Sequence, residues 1–197
     1  VREIEEKTQT LLVAAHHGGV VPRFERSTIE PAHDRLIAEM RAAYEGGDVP
    51  PYLDQSGRDL LSEGRETFRD WNLDAIILVQ EEADLHLLLR RGTQATAVFG
   101  AVLSMAGLEC EVHDLGLILP NTKGEEVAPI LEKLVTMEKI DPMDVAEFVK
   151  NIGDGRFRES VPEWLARKQW ADQNASLIRT VPTMAKAVLT NATSTWT

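Results

Sequence analysis

The chain has 197 residues, 43% hydrophobic and 27% charged, enough to bury a core in one domain or in a domain with a helical annex. Its formal charge of −11 is interspersed, −7 over residues 1–100 (11 basic, 18 acidic) and −4 over 101–197 (10 basic, 14 acidic). That balance excludes a broad basic platform for nucleic acid, so any phosphate contact must be local. A single cysteine excludes an internal disulfide, and no uncharged apolar run approaches the roughly 20 residues of a membrane helix, so a cytoplasmic protein with no membrane partner is expected.

VREIEEKTQT is polar, lacks the apolar segment of a secretory signal, and its Val1 reads as an internal cut. A strand is expected in TLLVAAHH, leading into Gly18-Gly19. After the loop GGVVPRFERST, a helix starts near Pro31, with Leu36, Ile37, Met40 and Tyr44 as its apolar stripe and Gly46-Gly47 as its stop. DVPPYL is an extended link. Asp54 can cap a second helix through Asp70, whose expected buried face is Leu60, Leu61, Gly64, Phe68 and Trp71.

AIILVQ, the polar turn EEAD and LHLLLR read as a β-hairpin. Then comes TQATAVFGAVLSMAGL, Thr93 to Leu108, without one charged side chain. Apolar residues recur at Ala95, Val98, Phe99, Val102, Leu103 and Ala106, the spacing of a helix, and small or apolar residues fill its other faces. Such a helix is surrounded by protein. Thr93 is its expected N-cap and Gly107 its stop. ECEVHDLGLILP makes a second strand pair, turning at Asp114 to Gly116.

Helices follow: one from Glu125 to about Glu138, one opened by Asp141-Pro142 and running to about Lys150, one behind the capping-box pattern Ser160-Val161-Pro162-Glu163, and a last short one from Val181-Pro182. The glycine-rich NIGDGRFR, residues 151–158, is a loop. The expected fold is α+β, antiparallel hairpins packed with a buried central helix: residues 1–122 form the core domain, and 123–197 a helical extension packed on it.

There is no G-x-x-x-x-G-K-[ST] loop, and NTKGEE lacks the setting of one. Cys110, His113 and Asp114, with His16 and His17, contain metal-ligand types, but read as a buried thiol and surface imidazoles. Glu81, Glu82 and Asp84 solvate a hairpin tip. The best candidate is Arg90-Arg91-Gly92-Thr93, where two guanidinium groups precede a helix N-terminus, Gly92 lets a phosphate approach, and the Thr93 hydroxyl caps or contacts it. The plainer alternative is that the arginines end a strand and pair with neighbouring carboxylates. Arg23 and Arg26, near Gly18-Gly19, and Arg156 and Arg158 are weaker versions of the same pattern. Trp164 and Trp170 are stacking platforms if exposed, core if not.

Four stretches in order, GGVVPRFERSTIEPAHDRLIAEM, PPYLDQSGRDLLSEGRETFRDWNL, LLLRRGTQATAVFGAVLSMAGLECE and VPEWLARKQWADQNAS, together spanning most of residues 18–178, resemble the C-terminal region of bacterial DEAD/DEAH-box helicases of superfamily 2, of the large helicase-related group. The resemblance implies upstream motor domains that use ATP and Mg to move along DNA or RNA. The chain itself would then be an accessory domain with no cofactor and no catalytic residue. Gly92 and Thr93 match the family's Gly-Thr turn, while Arg90 stands where an aromatic residue is usual. The implied function is to shape the nucleic-acid path or recruit a partner. An independent adaptor or small-ligand-binding protein is the alternative.

Overall fold

A computed structural model describes residues 3–5, 10–12, 31–73, 76–113, 116–150, 152 and 161–192. Two short strands, β1 (Glu3–Glu5) and β2 (Thr10–Leu12), pair antiparallel with Glu3 opposite Leu12. The expected strand therefore begins at Thr10 as anticipated, but its partner lies in the polar stretch before it. Next come α1 (Asp34–Glu45) and α2 (Gln55–Asp70). Asp54 caps α2 by accepting a hydrogen bond from the Gly57 N–H at 2.8 Å. Gly46 closes α1, its N–H donating to the Ala42 carbonyl.

The two expected hairpins form one four-stranded antiparallel sheet. Strands β3 (Ile77–Glu81) and β4 (Asp84–Leu88) make the first, β5 (Glu111–His113) and β6 (Gly116–Leu119) the second, in the order β3-β4-β6-β5. Because side chains alternate along a strand, the register Leu78–Leu87–Leu117, with Leu85 opposite Leu119, places five leucines on one face. All five are buried. On the other face Val79 stays 46% exposed, opposite His86.

Helix α3 (Thr93–Met105) is the buried rod. Phe99, Val102 and Leu103 have no solvent exposure, and a side chain at Gly100 would meet Leu117 of the sheet. The helix ends at Met105, three residues short of Leu108, and Gly107 just beyond it takes φ 100°, a conformation that costs glycine little. Helices α4 (Gly124–Thr136), α5 (Pro142–Ala146), α6 (Glu163–Ile178) and α7 (Val181–Ala192) complete the helical layer, α4 against α7 and α5 against α6. One continuous apolar cluster joins the leucine face, α3, and Val127, Leu131, Ile178 and Val188 from these helices. The fold is α+β.

The first helix starts at Asp34 rather than near Pro31, and two boundaries among the later helices also differ from the sequence expectation. Asp141 caps α5 as expected, through the Met143 N–H, but the helix ends at Ala146 rather than near Lys150. There Arg167 of α6 donates to the Ala146 carbonyl and to Glu163, tying the end of α5 to α6. The capping box does not form: Pro162 is the N-cap of α6, and Glu163 is its first helical residue.

Candidate functional site

Thr93 is not the N-cap of α3. Gly92 takes that position, with no side-chain cap, and Thr93 turns to the chain before α1. Its N–H donates to the Ala32 carbonyl at 2.9 Å, and its Oγ1 accepts from the Ala32 N–H at 3.0 Å. Asp34, the first residue of α1, supplies the rest of the clasp. Its Oδ1 accepts from the Gly92 N–H at 2.5 Å, and its Oδ2 from the Arg91 Nη2 at 2.6 Å and Nε at 3.1 Å. The helix N-terminus and guanidinium thus attract an anion, and the chain provides its own carboxylate. Arg91 makes the pairing that the plainer alternative foresaw.

A hydrogen bond from Arg91 holds the Asp34 carboxyl below the ordinary carboxylate range; the Gly92 N–H adds to the effect, against partial burial. A carboxyl whose pKa is lower folded than unfolded adds stability that is complete above the unfolded value, about pH 4, and is lost as pH falls through the folded one. Asp34→Asn is therefore expected to lower stability at pH 7, by less than about 1 kcal/mol because solvent screens this partly exposed pair, and to flatten its decline below pH 4, read from urea midpoints across pH.

Arg90 adopts φ 54°, a left-handed conformation uncommon for a residue other than glycine, and so bends the chain between β4 and α3. Its guanidinium lies 5.7 Å from the centroid of Phe68 on α2, which stacks on Tyr44 of α1 at 5.6 Å. The Arg90–Thr93 turn is therefore the hinge by which the core holds the α1–α2 pair. Arg23, Arg26, Arg156 and Arg158 lie outside the described residues.

The α1–α2 pair departs from its expected packing. Of the five residues assigned to the buried face of α2 only Phe68 is fully buried; Leu60 is 68% and Trp71 72% exposed. No residue of α1 is fully buried. Between the end of α1 and one face of α2 runs a cleft of about 750 Å³, lined by Tyr44 and Gly47 on one side and by Arg58, Ser62, Arg65 and Arg69 on the other. Arg65 reaches across it with all three guanidinium nitrogens: Nε and Nη2 donate to the Ala43 carbonyl at 3.1 and 2.9 Å, Nη1 to that of Gly47 at 3.4 Å, and Nη2 to that of Asp48 at 2.7 Å. It thereby satisfies the Ala43 carbonyl in the last turn of α1 and ties down the link that follows the helix. Arg58 and Arg69 each use Nε alone, to the carbonyls of Leu53 and Arg65. Among the described residues none of the three forms an ion pair.

The sequence reading missed this cleft because it followed only the apolar residues of α2. The signal was present in the spacing: residues 58, 65 and 69 fall within about 40° of each other around a helix of 3.6 residues per turn.

Among the described residues the other groups are dispersed, and His16, His17 and Asp114 lie outside them. Cys110 is buried, which pushes its thiol up to about 11, while the His113 imidazole faces Glu111 at 3.9 Å. Glu81 faces His86 at 3.3 Å, and Asp84 accepts from the Asn121 N–H. Trp164 is exposed and Trp170 half-buried against the core. Among the described residues no helix is long and apolar enough to cross a membrane. Comparison with known proteins finds no matching family model, no significantly similar curated protein and no significantly similar solved structure.

Proposed function

We propose that the chain is a non-catalytic accessory domain of an ATP-dependent superfamily 2 helicase, cytoplasmic, which packs on upstream motor domains and helps shape the path of DNA or RNA or recruit a partner. The observation that carries this reading is the apolar residues that each helix leaves uncovered: Leu36 and Met40, four apart on α1, and Leu60 on α2 with Trp71 at its C-terminal end, are each about half exposed or more. Exposed apolar residues that recur on one side of a helix fit a face that another protein body covers. The four stretches of resemblance supply the identity of that body, and the Arg90–Thr93 turn has the role of fixing the pair to its core. ATP and Mg belong to the motor.

The coding sequence upstream of residue 1 tests the proposal. An open frame encoding G-x-x-x-x-G-K-[ST] supports it, and an in-frame stop followed by a start at residue 1 contradicts it. The volume of the arginine cleft, within the range of small-molecule sites, favours a second reading as a ligand-binding adaptor. Thermal stabilisation by phosphorylated metabolites, together with indifference to polynucleotides, would select that one.

A further inference from the structure

We propose that the cleft between α1 and α2 binds the sugar–phosphate backbone of a single-stranded polynucleotide, through Arg58 and Arg69 with Arg65 between them. The inference rests on the accessory-domain reading for its context, but on separate observations for its content.

The charges of α2 are sorted by face. Arg58, Arg65 and Arg69 share the side that lines the cleft, while Asp59, Glu63, Glu66 and Asp70 occupy an adjacent side centred about 110° away on a helical wheel. Sorting has a cost. Arg65 with Arg69, Asp59 with Glu63 and Glu66 with Asp70 are like-charged pairs four residues apart, each unfavourable to the helix by about 0.2–0.5 kcal/mol, whereas alternation would have made them favourable. Helix stability alone does not account for that layout. In a chain of net charge −11, three guanidinium groups converge on one concavity without a carboxylate partner among the described residues. Glu45, which also borders the cleft, is paired with Arg41 at 3.0 Å.

The geometry selects the ligand. Among the described residues Arg58 and Arg69 each engage only Nε, which leaves both terminal guanidinium nitrogens for a ligand. Their bases on α2 are 11 residues apart, about 16 Å along the helix axis, so together they reach more than one phosphate of an extended strand. A flexible single strand can bend its phosphates into a cleft of about 750 Å³ toward both arginines, whereas a stiff duplex offers its phosphates at fixed spacing on a convex surface. The acidic face of the same helix repels a second strand laid alongside.

The test is fluorescence anisotropy of the full chain with a labelled oligothymidylate of about 12 nucleotides, across a range of salt. With two phosphates neutralised, by Arg58 and Arg69, log affinity is expected to fall against log salt with a slope of about −1.4, since each contact on a single strand contributes about −0.7. Arg58→Gln with Arg69→Gln is expected to bring the slope close to zero and weaken binding at every salt concentration. Arg35→Gln with Arg179→Gln, which changes the net charge equally away from the cleft, is expected to leave the slope near that of the parent chain. Circular dichroism at the assay temperature checks that both variants are folded. Equal slopes in the cleft variant and the parent, or equal losses in the two double variants, would overturn the proposal. So would a duplex of the same length binding as tightly, or pyrophosphate displacing the strand at equal phosphate concentration, which would mark a small-anion site. Any of these would leave the accessory role standing, since the upstream reading frame tests that separately.

Discussion

Phe99→Ala is expected to destabilise the protein by about 3–5 kcal/mol, the range for an aromatic side chain removed from a core that cannot close around the gap. Phe99 has no solvent exposure and lies at the middle of α3, the helix between the leucine face of the sheet and the helical layer. The loss joins two terms, the apolar area no longer buried and the cavity left behind, and neither neighbouring layer is free to fill it. Equilibrium urea unfolding reads the effect as a lower midpoint with an unchanged slope. With a total stability of typically 5–15 kcal/mol for a domain, the variant would lose a large share of it. A loss under about 1 kcal/mol would mean that α3 is not the centre of the core.

Gly92→Ala is expected to cost about 2–3 kcal/mol, although the backbone there is ordinary for any residue, with φ −62° and ψ 160°. The cost comes from space. A Cβ at residue 92 would lie 2.5 Å from the Ala32 carbonyl oxygen, 2.7 Å from the Asp34 nitrogen and 3.0 Å from Asp34 Oδ1. Two of these are main-chain atoms, and the Ala32 oxygen is held by the clasp bond from the Thr93 N–H, so relief requires α1 to draw back and that bond to lengthen. Gly100→Ala is the matched control. Its nearest neighbour would be a terminal methyl of Leu117 at 2.9 Å, which a small rotation can move, and alanine is the better helix former. The control is expected to change stability by less than about 1 kcal/mol, and only Gly92→Ala should speed amide exchange at the start of α1.

Much of the architecture was legible in the residues. A charge-free helical repeat such as TQATAVFGAVLSMAGL has few places to lie except inside, and alternating leucines flanked by polar turns specify hairpins with one buried face. Asp54 declared the start of α2 because a cap acts through atoms three residues away. Features set by distant partners were hidden. Thr93 resembles an N-cap, yet it pairs with Ala32, and nothing local announces that partner. Gly92 suggested room for a phosphate; the room is taken by Asp34, 58 residues earlier. Leu60 and Trp71 satisfied the apolar period of α2, but a period states which residues share a face, not what covers it. The arginine cleft was hidden for a different reason: its three side chains belong to one helix and could have been grouped, while the concavity they line is made by α1.

Hydrogen–deuterium exchange of the full chain, with and without a single-stranded oligonucleotide, probes the core and the cleft together. The expected result is that peptides spanning residues 95–103 exchange slowest in both states, and that added protection is confined to 44–49 and 58–72. Fast exchange in 95–103, or protection that maps elsewhere in the chain, would contradict a buried α3 that supports an arginine-lined path for nucleic acid.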